Sequence, residues 1–349
     1  MRAILGGVLG LLLAGGAFAA DPPTLASYHD NTGRADAFSG GARMIPIHTP
    51  QGDFKVWTKR VGNNPTLKLL LLHGGPGATH EYFEAFDSFL PAAGVEYYYY
   101  DQLGSAYSDQ PKDMAPLLSV DRFVEEVEQV RQALGLDAAD FCVLGHSWGG
   151  ILAIEYALKY PQHLKCLVVS NMMSSIPAYN RYARDVLMPR MDPAALREIL
   201  ALEAAGKYTD ARYEALLLPY YEQHVLRMPA AQWPEPVQRA FSKTNKAVYV
   251  PMQGPSEMGA SGILLEWDRT ADLEKIAVPT LVIGAEHDTM DPNFMRMMSE
   301  QFPPDPSAIQ AARGDYLYLP NGSHMAMYDD QQAYFAGLLG WLRKVDQGR

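Results

Sequence analysis

Apolar residues fall in short unbroken runs through the first half of the chain, among them Leu69-Leu70-Leu71-Leu72, Phe141-Cys142-Val143-Leu144 and Leu167-Val168-Val169. Runs of this length, bounded by Gly, Pro or charged residues, suit strands buried on both faces. The pattern predicts strands over 68–72, 96–101, 140–144, 164–170, 278–284 and 315–319. Between them, apolar positions recur at helical spacing over 120–134, 148–159, 293–301 and 330–345. Strand and helix alternating in this way define an α/β fold, with a mostly parallel central sheet covered by helices on both faces. An earlier alternating pair, 42–48 and 54–60, predicts an antiparallel hairpin leading into that sheet.

The alternation stops over 172–271. That stretch is rich in Met, Tyr, Arg and Pro, without a convincing strand. A segment so long inside a compact domain needs structure of its own, so it is expected to be a mainly helical cap inserted between two parts of the core, 21–171 and 272–349. Residues 1–20 stand apart from both. Arg2 gives a basic start, Ile4 to Leu13 an apolar stretch too short to cross a bilayer, and Ala17-Phe18-Ala19 a small-residue cleavage pattern before Asp21. The expectation is a signal peptide and an exported protein, periplasmic or secreted, with no stable membrane insertion once the leader is removed.

The chain holds 29 Lys and Arg against 40 Asp and Glu, a net charge of −11; without the leader, whose one charged residue is Arg2, the balance of 28 against 40 is −12. Such an excess of negative charge argues against nucleic-acid partners. There are two cysteines, Cys142 and Cys166, each on a predicted core strand. Adjacent parallel strands rarely offer disulfide geometry, so two buried thiols are expected, and two cysteines without neighbouring histidines make no zinc site.

Chemistry enters with Gly145-His146-Ser147-Trp148-Gly149, which joins a predicted strand to a predicted helix. A serine at such a turn is presented as a nucleophile, and the flanking glycines let two backbones crowd together. Its hydroxyl is a poor nucleophile at neutral pH and needs a base that a carboxylate orients. Asp288, after the strand at 278–284, and His324, after the strand at 315–319, supply both. Parallel strands gather their carboxyl ends along one edge, so Ser147, Asp288 and His324 are expected to converge there. Each has an ordinary alternative: Asp288 as a helix cap, for which Asp291 is better placed, and His324 as a loop histidine. Three elements at three strand ends in the order Ser, Asp, His weigh against those alternatives. His73-Gly74-Gly75-Pro76-Gly77, directly after Leu72, would leave backbone N–H groups open, and the N–H groups of Gly75 and Trp148 are the expected oxyanion donors. No metal or organic cofactor is called for.

Taken with Tyr100-Asp101-Gln102-Leu103-Gly104-Ser105 and Gln253-Gly254-Pro255-Ser256-Glu257, these motifs resemble the proline iminopeptidases (prolyl aminopeptidases) of the α/β-hydrolase superfamily over most of the chain. The resemblance implies a serine exopeptidase that releases an N-terminal residue, proline or another small apolar one, from short peptides through an acyl-enzyme. It also implies a cap glutamate, here Glu257, that holds the substrate's free ammonium, with Tyr249 lining the same end of the pocket. Pairing a carboxylate with an ammonium in a partly desolvated pocket is how an exopeptidase can count one residue from a terminus. Members commonly carry a second glutamate after the catalytic aspartate, where this chain has Thr289. The second contact is then missing or comes from elsewhere, with Glu286 and Asp291 as candidates, and an amino-acid amidase or an esterase of the same fold becomes the neighbouring reading. A non-catalytic binding protein of the same fold is the remaining alternative, and the complete set of site residues argues against it.

Overall fold

The computed structural model describes residues 23–303 and 314–348. The leader expected over 1–20, and most of an enlarged surface loop expected around Pro303-Pro304-Asp305-Pro306, lie outside the described residues. Eight strands form one sheet: β1 (Ala42–Thr49), β2 (Gly52–Val61), β3 (Lys68–Leu72), β4 (Glu96–Asp101), β5 (Phe141–His146), β6 (Cys166–Ser170), β7 (Thr280–Ala285) and β8 (Asp315–Leu319). Their spatial order is β1-β2-β4-β3-β5-β6-β7-β8. The β1–β2 and β2–β4 pairs are antiparallel and all later pairs parallel. Every strand expected from the sequence is present, with ends moved by one or two residues, as hydrogen-bond competition at strand ends allows.

Successive side chains of the central strands feed two separate cores. Leu70, Leu72, Val143, Leu167 and Val169 pack on one face with the helices Val120–Leu134 and Trp148–Lys159; Leu69, Leu71, Leu144 and Val168 pack on the other with the helix Gln331–Asp346. Burial of each such side chain is worth roughly 1.5–3 kcal/mol, which is why unbroken apolar runs mark the centre of the sheet. The helix Val120–Leu134 forms where Phe123, Val127 and Val130 recur on one face. Ser119 caps its start by accepting the Arg122 N–H, and Gly135 ends it in the left-handed conformation at φ 67°.

Between β6 and β7 the chain is helical: Ile176–Tyr182, Pro193–Ala204, Ala211–His224, Glu235–Ser242 and Lys246–Met252 follow one another. The β pairing among its described residues is a single bridge between Ser175 and Asp268. These helices have an apolar cluster of their own around Ile199, Tyr213, Leu217 and Met258. The helix Glu235–Ser242 is tied to the core by Arg239, whose guanidinium pairs with the fully buried Glu81 at 3.0 Å and with Glu84 at 2.9 Å.

One expectation fails. Cys142 and Cys166 are joined in a disulfide, not left as two thiols. The general disfavour for bonds across adjacent strands does not apply, because these two residues are direct register partners on β5 and β6, on the same face, with Cα atoms 4.6 Å apart. That separation lies inside the disulfide range.

Candidate active site

The strand order reverses across β3, with β4 on one side and β5 on the other, and this switch point is where an open α/β sheet leaves a crevice at its carboxyl edge. Ser147 stands at that edge, between β5 and the helix Trp148–Lys159, with φ 56° and ψ −129°. A non-glycine residue held there costs on the order of 1–3 kcal/mol, and the surrounding packing holds it. A Cβ on Gly145 would lie 1.9 Å from the Gly149 carbonyl oxygen, and one on Gly149 would lie 2.0 Å from that of Leu72. Both glycines are therefore required for strand, turn and helix to pass so closely.

His324 and Asp288 meet beside Ser147. The Nδ1–H of His324 donates to Asp288 Oδ1 at 2.8 Å, which leaves Nε2 free to accept a proton. Asp288 Oδ2 accepts from the Asn171 amide at 2.7 Å, and Oδ1 also accepts the Met290 N–H at 3.1 Å and the Thr289 hydroxyl at 3.2 Å. Asp288 is fully buried, which opposes its ionisation, but the His324 charge and these hydrogen bonds outweigh burial and hold its pKa below the ordinary carboxylate value. Burial likewise opposes charge on His324, and the Asp288 carboxylate overcomes it, so the imidazole pKa lies above its ordinary value. The Ser147 hydroxyl has no hydrogen-bond partner among the described residues; it opens onto the same cavity as His324.

Several residues that the sequence reading passed over fix this arrangement. Asn171, itself at φ 53° at the end of β6, anchors Asp288 and also donates to the Ser323 carbonyl at 3.1 Å. His146, inside the serine motif, donates from Nε2 to the His324 carbonyl at 2.8 Å and accepts at Nδ1 from the Tyr82 hydroxyl at 3.1 Å. Burial and the neighbouring His324 push the His146 pKa down to about 3, so it stays neutral and keeps this tautomer. Their signal in the sequence was position alone: Asn171 follows a strand and His146 precedes the serine.

The expected oxyanion loop lies against the serine. A Cβ on Gly74 would come within 2.8 Å of Ser147 Cβ. The Gly74 N–H is taken by the Tyr82 hydroxyl at 2.7 Å, whereas those of Gly75 and Trp148 make no hydrogen bond among the described residues. Trp148 opens its helix, where an N–H has no intrahelical acceptor. Gln102, from the Asp-Gln-Leu-Gly segment, ties these parts together: its side chain donates to the His73 carbonyl at 2.9 Å and accepts the Trp148 indole N–H at 2.8 Å.

A cavity joins Gly74, Gly75, Ser147 and His324 of the core to Tyr221, Lys246, Tyr249 and Glu257 from the helical segment. Four tyrosines hold Glu257. Tyr249 donates to its Oε1 at 2.6 Å, Tyr179 and Tyr220 donate to its carbonyl at 2.7 and 3.3 Å, and its N–H is accepted by Tyr221 at 3.2 Å. Burial and the Glu257 charge raise the Tyr249 pKa well above the ordinary phenol value, so that hydroxyl remains a donor. Neither candidate for a second anion reaches the cavity. Glu286 accepts from Tyr318 on the surface, and Asp291 caps the helix Pro292–Ser299 by accepting the Asn293 N–H. Among the described residues, no cluster of three or more His, Cys, Asp or Glu side chains is arranged to hold a metal ion.

A parallel sheet with this strand order, a serine at a strained strand-to-helix turn and a histidine paired with a buried aspartate define an α/β hydrolase, and the family model for the α/β hydrolase fold matches residues 68–331. Proline iminopeptidases of Flavobacterium johnsoniae and Elizabethkingia meningoseptica are 52% and 53% identical to the chain over 304 and 306 residues, in each case 87% of this chain and 98% of the relative. A crystal structure of the Mycobacterium smegmatis proline iminopeptidase superposes with a TM-score of 0.74 at 27% identity, covering 88% of this chain and 99% of that one. The chain belongs to the proline iminopeptidase family.

Proposed function

We propose that this prolyl aminopeptidase-like hydrolase releases an N-terminal residue, proline or another small apolar one, with Ser147, His324 and Asp288 as its catalytic groups. The observation that carries the proposal is the shared cavity: a serine, the free Nε2 of an aspartate-bound imidazole and a tyrosine-held carboxylate face one space. Glu257 receives the substrate ammonium, placing the first peptide carbonyl over Ser147. As substrate fills the cavity, the Ser147 hydroxyl closes onto His324 Nε2, in line with the way catalytic hydrogen bonds tighten on binding. The oxygen then attacks the carbonyl carbon while His324 takes the proton and Asp288 stabilises the imidazolium. The N–H groups of Gly75 and Trp148 receive the developing oxyanion. His324 returns the proton to the departing amine, and water activated by the same imidazole releases the acyl group.

The reading is tested by assaying free and N-acylated prolyl aryl amides together, with a fluorophosphonate probe marking the serine. Turnover of the free substrate by the wild type, with loss of both turnover and labelling in a folded Ser147→Ala variant, is expected. Turnover retained in that variant would refute the assignment. One observation favours a second reading, an aminoacyl-amide hydrolase. The ammonium site holds one carboxylate, and Thr289 is committed to Asp288. Faster turnover of simple amino-acid amides than of dipeptides would select it.

Export is part of the same proposal. A leader over 1–20 and a disulfide, which persists in oxidising compartments, both support it. Mass spectrometry of the native protein should find a mature chain beginning at Asp21, and an intact Met1 terminus would count against export.

A further inference from the structure

Among the described residues, Lys246 is the one lysine or arginine that lines the cavity containing Ser147 and Glu257. It opens the helix Lys246–Met252 and stands three residues before Tyr249, so both side chains leave the helix on one face. Its ammonium lies 5.4 Å from the centre of the Tyr249 ring, while the hydroxyl of that ring bonds Glu257. One tyrosine thus faces a cation with its ring and an anion with its hydroxyl within one cavity. The neighbouring cations are spent on structure. Arg239 is held by Glu81, Glu84 and Glu235, and Lys243 by Glu81. Lys246 has no carboxylate partner among the described residues, in a chain with eleven more acidic than basic side chains.

We infer that Lys246 forms a subsite for a free carboxylate on the leaving side of the substrate, so that the cavity grips a dipeptide by both of its charged ends. This rests on the proposed function, because the ammonium end is the one assigned to Glu257. An extended dipeptide spans about 7 Å at most, and Lys246 and Glu257 line one cavity, the first over the Tyr249 ring and the second at its hydroxyl. A blocked or longer peptide carries its carboxylate elsewhere and gains nothing from Lys246. The subsite therefore tunes the enzyme toward the smallest peptides and toward acids over amides. Lys246 is solvent-exposed, and an exposed pair of this kind shifts binding by a few-fold only.

The test compares kcat/KM for prolyl-glycine with kcat/KM for prolyl-glycinamide in the wild type and in Lys246→Met, Lys246→Arg and Lys246→Glu. The intrinsic difference between the two leaving amines cancels when the acid-to-amide ratio is compared across variants. The ratio should fall about threefold to fivefold in Lys246→Met at low ionic strength, hold in Lys246→Arg and fall further in Lys246→Glu. In the wild type it should move toward the Lys246→Met value as salt is added. A Lys246→Met ratio equal to that of the wild type overturns the subsite, and equal ratios in Lys246→Met and Lys246→Glu do the same. A wild type that turns over prolyl aryl amides but gives the same ratio as every variant refutes the subsite alone. A wild type inactive on all prolyl substrates refutes the proposed function and the subsite together.

Discussion

Glu257→Gln isolates the charge from the shape of the ammonium site. The glutamine side chain can still accept the Tyr249 hydroxyl through its amide oxygen, as Oε1 does now at 2.6 Å, and the backbone bonds from Tyr179 and Tyr220 and to Tyr221 are untouched. What is lost is the charge that Oε2, with no protein partner among the described residues, offers to the substrate. A hydrogen bond to a charged group is worth about 1.5–3 kcal/mol, or roughly 10- to 150-fold at 1.36 kcal/mol per decade. Since Glu286 and Asp291 lie outside the cavity, no second carboxylate among the described residues lines it to compensate. We expect kcat/KM on a prolyl aryl amide to fall about 30-fold, within that range, mostly through KM. An N-acetylprolyl ester, which carries no ammonium, should change less than about threefold. Steady-state assays of both substrates on the same preparation decide the matter. An equal loss on both would show that Glu257 supports the fold of the cavity and does not read the amino terminus.

Three further outcomes follow from the geometry. The activity of the free enzyme should fall as pH drops through the His324 midpoint, because the neutral imidazole is the base; with its pKa raised, that midpoint should lie above the ordinary value of about 6.5, and a kcat/KM profile flat down to pH 5 would contradict it. Asn171→Asp places a second carboxylate where an amide donor now sits 2.7 Å from Asp288 Oδ2, so kcat on prolyl aryl amides should drop about 100-fold or more with circular dichroism preserved, and near-normal turnover would refute the anchoring role. Replacing both cysteines by alanine opens a cross-link spanning 24 residues, for which loop entropy gives a loss of about 3.5 kcal/mol. The urea midpoint should fall accordingly, and two free thiols titrating in the denatured, unreduced wild type would disprove the bond.

The sheet was legible because short apolar runs bounded by Gly, Pro or charged residues suit strands buried on both faces, and because strand ends in a parallel sheet fall on one edge. Motif, strand ends and chain order together singled out Ser147, Asp288 and His324, of which the structure pairs Asp288 with His324 and sets His324 and Ser147 on one cavity. It could not locate Asn171 or Tyr82, whose importance comes from hydrogen bonds across 117 and 64 residues of chain and leaves no periodic trace. Nor could it settle the cysteines. A general rule about strands disfavoured a bond, yet the register of β5 against β6 puts Cys142 opposite Cys166, and register is a property of the assembled sheet, set by how many residues each loop consumes. The same limit explains Glu286 and Asp291: their distance from Asp288 in sequence is small, but the turn after β7 points both away from the cavity.

The helical segment and the catalytic core are chemically continuous at His324. The N–H groups of His324 and Met325 donate to the carbonyls of His224 and Val225 at 3.0 and 2.8 Å, and the Ser323 hydroxyl donates to Val225 as well. His224 ends the same helix, Ala211–His224, that carries Tyr220 and Tyr221 to the backbone of Glu257. One helix therefore braces His324 at its end and Glu257 one turn earlier. The helix Ala211–His224 thus holds Glu257 through two tyrosine hydroxyls and His324 through its terminal carbonyl, and under the proposed function that link is what would set one residue, and not two, between the bound amino terminus and the bond that Ser147 attacks.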